Sequence, residues 1–115
     1  MRVTMIAFTC EGGNCPTTYA TDRGSVLVQG YVVDGQQLVE AGLGAGSPSV
    51  EVPAELLAEH ARLQGAQRWI ASAIPTDRGT VIVSGAAVSA REALPAGITL
   101  PQSESLIELY GEVAA

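Results

Sequence analysis

The chain has 115 residues, of which 47% are hydrophobic and only 4% aromatic, so aliphatic side chains must fill one modest core. Six basic residues stand against twelve acidic ones, giving a formal net charge of −6. This balance opposes direct nucleic-acid binding, which depends on neutralising phosphates. No segment approaches the roughly 18 consecutive apolar residues of a membrane span, so no membrane contact is expected.

The N-terminal stretch, residues 2–10 (RVTMIAFTC), has the outline of a short export signal before a lipid-accepting cysteine. Its apolar part is short and is interrupted by Thr4, and Phe8 and Thr9 are poor substitutes for the small residues of a cleavage site. The sequence therefore predicts a cytoplasmic protein, in which thiols stay reduced.

Cys10 and Cys15 form a C-x4-C pair in a glycine-rich loop, where Gly12 and Gly13 allow the backbone to wrap around a metal ion. A zinc site would need His60, the single histidine, plus a carboxylate or a second chain. The pair can also form a redox-active or structural disulfide, and the sequence favours a third interpretation, two free thiols in a turn. Zinc is the one cofactor that the sequence suggests, and these alternatives remain open.

An internal repeat organises the chain, because TDRGSVLVQG at residues 21–30 recurs as TDRGTVIVSG at residues 76–85 with seven of ten positions identical. The segment predicts a tight β-hairpin. Its aspartate accepts a backbone hydrogen bond two residues on, and Gly24 or Gly79 supplies the positive φ of a type I turn with a bulge. The apolar runs 26–28 and 81–83 indicate central strands, ended by Gly30 and Gly85 as bulges or close approaches.

The likeness continues more loosely from VEVP at residues 50–53 to ITLP at residues 98–101, which implies that the second copy has lost seven residues near the glycine-rich segment 42–49. A helix is predicted from Pro53 to Gly65. A second one is predicted over residues 105–113, where Ser105 and Glu108 have capping-box spacing. Shorter helical turns are predicted at residues 34–41 and 89–94.

The sequence thus predicts one α+β domain over residues 1–115, built from two hairpin-strand-helix units at about 10–64 and 66–114. The units would be related by a pseudo-twofold axis, with their hairpins side by side under equivalent helices. Such a chain is either a monomer with an internal pseudo-dimer or a homodimer.

Residues 10–33, CEGGNCPTTYATDRGSVLVQGYVV, resemble small uncharacterised proteins of actinomycete bacteria with a Cys-x4-Cys-Pro run before a Thr-Asp-Arg-Gly hairpin. Proteins of this kind are found among helix-turn-helix regulators. The resemblance implies a regulatory or protein-interaction role and names no reaction.

The two Asp-Arg pairs at the hairpin tips, Asp22-Arg23 and Asp77-Arg78, are candidates for a symmetric recognition patch, although turn chemistry and solubility also explain them. His60 lies beside the apolar stripe of its predicted helix and is more typical of a core boundary than of a catalytic base. Trp69 begins an apolar run and is predicted to anchor the core.

The sequence contains no P-loop, no H-E-x-x-H and no G-x-S-x-G, so it does not favour an enzyme. It favours a non-enzymatic protein-interaction or regulatory accessory protein that binds a protein partner through the hairpin tips or an exposed sheet face. A small metal-binding or thiol-redox protein using Cys10 and Cys15 is the second hypothesis. A small enzyme with its site between the two units is the third.

Overall fold

The structure, a computed structural model, describes residues 2–10 and 15–110 and has an α+β fold of antiparallel strands and short helices. The strands are β1 (Val3–Phe8), β2 (Thr17–Thr21), β3 (Ser25–Val32), β4 (Ser49–Pro53), β5 (Ile74–Pro75), β6 (Thr80–Ser84), β7 (Ala86–Ala87) and β8 (Glu104–Tyr110). The helices are α1 (Gly35–Glu40), α2 (Ala54–Gln64), α3 (Arg68–Ala71) and α4 (Ala90–Ala93), with a 3₁₀ turn at Leu94–Ala96. Within the described residues, no helix is long and apolar enough to cross a membrane.

The strands are arranged in the order β1-β2-β3-β4-β6-β5, and β8 pairs with both β3 and β7. Only Gly85 separates β6 from β7. The pairings β3–β4, β4–β6, β7–β8 and β8–β3 therefore form a closed circuit, which leaves the open ends of the sheet at β1 and β5.

The main core is formed by side chains from β3, β4, β6 and β8 of this circuit, together with Ala7 of β1. Successive inward positions alternate along each strand, as expected for a strand with one face on a core. Helix α2 packs Leu56 and Leu57 against this cluster, and Trp69 joins it, which confirms the prediction that Trp69 anchors the core. The strand members are Val26, Val28, Val50, Val52, Val83 and Ile107, with Val81 and Leu109 partly buried beside them.

Two smaller clusters lie outside the circuit, where Leu27 and Ile82 point to the opposite face. Leu27 packs with residues around α4, including Ala93 and Ile98. Ile82 packs with residues around α1, including Leu38. Both hairpin strands therefore bury both of their faces, as their continuous apolar runs predicted.

The hairpin turns are confirmed, since Gly24 and Gly79 each have a φ of 77°. The turn hydrogen bond comes from a different residue than predicted. The hydroxyls of Thr21 and Thr76 accept from the N–H groups of Arg23 and Arg78, at 3.3 and 3.2 Å. A threonine hydroxyl can make the same local contact as an aspartate.

Three of the predicted helical segments are confirmed. The carboxylate of Asp34 caps α1 by accepting from the N–H of Gln37 at 2.8 Å, and the hydroxyl of Ser89 caps α4. Helix α2 begins immediately after Pro53 and ends at Gly65.

The predicted C-terminal helix is wrong, because residues 104–110 form β8, which pairs with β3 from Ser25 to Tyr31. Leu106 packs on the outer cluster and Ile107 on the main core, so burial on both faces prevails over a weak helical pattern. The strand that the second hairpin-strand-helix unit would have at residues 98–101, by their likeness to residues 50–53, is also wrong, since residues 98–101 lie outside any strand. The loss of seven residues from the second unit, which was inferred from this likeness, is therefore not supported. Val113, at the end of the predicted C-terminal helix, lies outside the described residues.

The two hairpins are not side by side, because β4 lies between β3 and β6. Instead, each hairpin is flanked by a strand in the same register. Val50 and Val52 of β4 lie opposite Val83 and Val81. In the same way, Ile107 and Leu109 of β8 lie opposite Val28 and Val26.

Candidate functional site

The first hairpin tip carries Arg23, whose guanidinium forms a two-pronged ion pair with Glu108 on β8. Nε and Nη2 donate to the two carboxylate oxygens at 2.9 Å each. The hydroxyl of Ser25 donates to the same carboxylate at 2.5 Å. The Glu108 carboxylate raises the pKa of Arg23, so the sequence-predicted recognition residue also ties the hairpin to the neighbouring strand.

The second hairpin tip repeats this arrangement with Arg78 and Glu51 of β4. Nη2 and Nε of Arg78 donate to Oε2 of Glu51 at 2.9 and 3.3 Å, and the Thr80 hydroxyl donates to the same oxygen at 2.5 Å. The Glu51 carboxylate raises the pKa of Arg78. The Arg78 side chain is 53% exposed and that of Glu51 only 11%, so the guanidinium remains within reach of a partner.

The aspartates of the two tips are exposed, and Asp77 adds a second, longer ion pair to Arg78. The Asp77 side chain is 93% exposed, with Oδ1 3.7 Å from Nη1 of Arg78, and Asp22 is exposed as well. The two tips belong to hairpins that are not neighbours in the strand order. The structure therefore gives no support for reading them as one continuous patch along adjacent hairpins.

A cleft of about 350 Å³ lies between α1 and the second hairpin, and it includes both Asp77 and Arg78. This volume is near the lower end of the range for ligand sites. One wall comes from residues 35–41, in the first predicted unit, and the other from residues 74–82, in the second. The lining residues are Gln37, Glu40, Ala41, Ile74, Pro75, Thr76, Asp77, Arg78 and Ile82.

The polar groups of the cleft carry an excess of negative charge. The positive charge of Arg78 is matched by Glu51 beneath it, while Glu40 and Asp77 add two carboxylates at the rim. With its amide oxygen turned toward Arg78, Gln37 accepts from Nη2 at 2.9 Å. Apolar side chains, among them Ile74 and Ile82, line the cleft beside these charged groups.

The first hairpin is covered at the corresponding place. Strand β1 pairs with β2, placing Val3 opposite Thr21 and Met5 opposite Tyr19. Tyr19, which is 55 residues before Ile74 in the sequence, donates its hydroxyl to Oε1 of Gln29 at 3.0 Å. Burial raises the pKa of Tyr19. Tyr19 and Val3 of β1 pack against the cluster around Leu27, whereas the smaller Ile74 packs against the cluster around Ile82.

Cys10 and Cys15 are joined by a disulfide, with their Cα atoms 4.2 Å apart. It closes the connection between β1 and β2. At that point the Thr9 N–H donates to the Pro16 carbonyl at 2.9 Å, and the Thr17 hydroxyl donates to the Cys15 carbonyl at 2.7 Å. Of the three alternatives for the thiols, the structure contains the disulfide. Gly12 and Gly13 lie outside the described residues.

His60 is fully buried on α2 rather than at the core boundary. Its Nδ1 is 2.7 Å from the Thr18 hydroxyl, and its ring meets Trp69 edge-on at a centroid distance of 5.3 Å. Burial lowers the pKa of His60. Over the ranges that the structure describes, no group of three or more His, Cys, Asp or Glu side chains is placed to hold a metal ion. Zinc binding would require the disulfide to be reduced first.

Sequence reasoning missed the carboxylates that hold the hairpins, and it missed Gln37 and Glu40 in the cleft. A signal for the first pair was available, since V-E-V at residues 50–52 and I-E-L at residues 107–109 each place one glutamate between apolar strand residues. A charged side chain is rarely buried unless it is paired. No comparable signal marked Glu40, which depends on how α1 meets the second hairpin.

Comparison with protein-family models, with curated proteins and with solved structures finds no match to this chain.

Proposed function

We propose that this chain is a non-enzymatic protein-interaction protein with a regulatory accessory role, and that it binds its partner in the cleft between α1 and the second hairpin. The observation that carries the proposal is the cleft itself, which contains Asp77 and Arg78. A half-exposed guanidinium and two carboxylates beside apolar side chains are suited to recognition.

We further propose that the chain consists of two related units with approximate twofold symmetry. The matching registers support this, because residues 49–53 pair with β6 as residues 106–110 pair with β3. The two Arg–Glu ion pairs also correspond, and each joins one unit to the other. In such an arrangement, a feature that is present in one unit and absent from the other marks a place where the functions of the two units have diverged.

The cleft is such a difference. Beside the first hairpin, Tyr19 and Val3 of β1 pack against the cluster around Leu27. Beside the second hairpin, β5 has only two residues and Ile74 stands at the position of Tyr19. The missing bulk opens the cleft without any loss of the supporting Arg78–Glu51 pair.

The charge of the cleft selects a basic side chain of the partner. The aliphatic stem of an arginine or lysine can pack on Ile74 and Pro75 while its cationic head lies between Glu40 and Asp77. Because the whole chain carries a net charge of −6, long-range attraction would also steer a basic segment toward it.

The test compares charge reversal at the two equivalent turn positions. Asp77→Lys should remove partner binding, whereas Asp22→Lys makes the same substitution at the first hairpin and should leave it intact. Native mass spectrometry of complexes isolated from the source cells measures partner retention. Equal retention by the two variants would exclude the cleft as the binding site.

A probe that needs no known partner is N-acetyl-arginine amide, titrated by NMR. The amide signals of Glu40 and residues 76–78 should shift in a saturable way, and those of residues 21–23 should not. Absence of a saturable shift at the second hairpin would count against a basic recognition element.

A thiol-redox role is a second candidate, favoured by the disulfide between Cys10 and Cys15. Its test is the reduction potential of this pair in a glutathione series. A potential near that of the cytosolic glutathione pool, about −220 to −320 mV, would support reversible use. A much lower potential would leave the bond purely structural. Adding zinc to the reduced protein, with a Cys10→Ser/Cys15→Ser control, tests the metal hypothesis in the same samples.

A further inference from the structure

Strand β1 presents an open edge of the sheet. It stands at one end of the strand order, and within residues 2–10 and 15–110 its pairing partner is β2 alone. The opposite end of the order, β5, is only two residues long and includes Pro75, which lacks an N–H and so hinders strand addition. Of these two ends, only β1 offers a strand of six residues to another chain.

The same strand exposes two large apolar side chains on one face. Met5 lies opposite Tyr19 and Phe8 opposite Thr17, and these β2 residues are two positions apart, so their partners share a face. Met5 is 56% exposed and Phe8 60%. The strand sequence VTMIAF contains no charged residue. Native edge strands are commonly protected by charges, and β1 lacks this protection.

We propose that β1 is a self-association surface on which a second copy of this chain places its own β1 in antiparallel orientation. An antiparallel pair of identical strands is self-complementary about a twofold axis. The orientation that sets Met5 against Phe8 of the second copy also sets Phe8 against Met5 of the second copy. One geometry thus covers both exposed side chains in both chains.

Charge favours this occupant over a basic partner. Each chain carries a net charge of −6, so two copies repel one another over most of their surfaces. The uncharged strand β1 is a place where they can approach with little local repulsion. A basic partner would gain nothing electrostatic there, whereas it would gain at the acidic cleft, so the two surfaces remain separate.

The interface is expected to be weak. A bulge between Met5 and Ala7 interrupts the strand register, so side-chain contacts rather than a continuous hydrogen-bond ladder must hold the copies together. A single strand buries less than the roughly 1,200–2,000 Å² of a stable interface. The dimer should therefore form reversibly and only at high protein concentration.

Sedimentation velocity from micromolar to millimolar protein tests the proposal. The wild type should shift from monomer toward dimer, and Met5→Lys/Phe8→Lys should weaken dimerisation by roughly tenfold or more. The control, Val32→Lys/Val39→Lys, adds the same charge at two other exposed apolar positions and should dimerise at least as well as the wild type. Circular dichroism checks that each variant is folded, and Phe8→Lys alone serves if the double variant is not.

Hydrogen exchange locates the contact independently of any substitution. Amides of residues 3–8 in the wild type should gain protection as concentration rises, while those of β5 should not. A wild type that stays monomeric throughout, a dimer that survives the Met5 and Phe8 changes, or added protection confined to other strands would each overturn the proposal.

Discussion

Substituting alanine for Gly30 should destabilise the protein strongly, because two strands meet at this residue without room for a side chain. A Cβ at Gly30 would lie 2.5 Å from Cγ1 of Val52 and 2.8 Å from the carbonyl oxygen of Glu51. Favourable carbon contacts are roughly 3.5–4.0 Å. The added methyl group therefore requires β4 to move by about 1 Å, and Val52 is fully buried and has no free space to enter.

The expected cost follows from this forced movement. Overpacking a close-packed core typically costs about 1–3 kcal/mol, and the clash with a backbone oxygen places Gly30→Ala at about 2–3 kcal/mol on that scale. For a domain of this size each kcal/mol lowers Tm by about 4–8 °C. Urea unfolding should show a lower midpoint with an unchanged slope.

Two further glycines make the experiment decisive. Gly85→Ala should also destabilise, since a Cβ there would lie 2.7 Å from the carbonyl oxygen of Glu108. Gly46→Ala is the control, because a Cβ at Gly46 meets no atom within 4 Å, and reduced freedom of the unfolded chain should give about 0–1 kcal/mol of added stability. If Gly30→Ala unfolds like the wild type, the close approach of β3 and β4 is refuted.

Three other predictions test the remaining supports of the fold. Burial lowers the pKa of His60, so the stability that depends on its neutral form is complete above the ordinary histidine pKa of about 6.5 and is lost as the pH falls below that value. His60→Gln should therefore flatten the acidic part of a plot of urea midpoint against pH. A plot that is the same for the variant and the wild type would contradict this role of His60. Replacing Cys10 and Cys15 by serine should cost about 2 kcal/mol, the chain-entropy value for so short a loop, and thermal unfolding with and without reductant measures it. Glu51→Gln and Glu108→Gln should lower the urea midpoint by similar amounts, whereas strongly unequal losses would contradict equivalent roles for the two ion pairs.

Local signals in the sequence predicted the local structure well. The hairpin turns at Gly24 and Gly79 follow from residues that accept positive φ. Helix α2 follows from its apolar spacing, and its end follows from Gly65. Gly30 and Gly85 were predicted as strand ends or close approaches. Gly30 lies inside β3, Gly85 separates β6 from β7, and both are close approaches.

The pairing of strands that are distant in the chain could not be predicted from the sequence. Residues 104–110 have apolar side chains that satisfy either a helix or a buried strand, and periodicity alone cannot separate the two. Pairing with β3 from Ser25 to Tyr31 favours the strand, because β3 provides hydrogen-bonding groups along this length. The same limitation hid the cleft, whose walls come from segments some 40 residues apart.

The two ion pairs explain how one hairpin can acquire a binding role while the fold is kept. Arg78 and Glu51 hold the second hairpin against β4 through short hydrogen bonds, whereas Asp77 adds only a longer, exposed ion pair of 3.7 Å to Arg78, of a kind that contributes little to stability. Changes at the rim can therefore alter which partner binds without loosening the hairpin. Loss of Arg78 would instead affect folding and binding together, which is why the Asp77 and Asp22 variants, and not the arginines, separate recognition from stability.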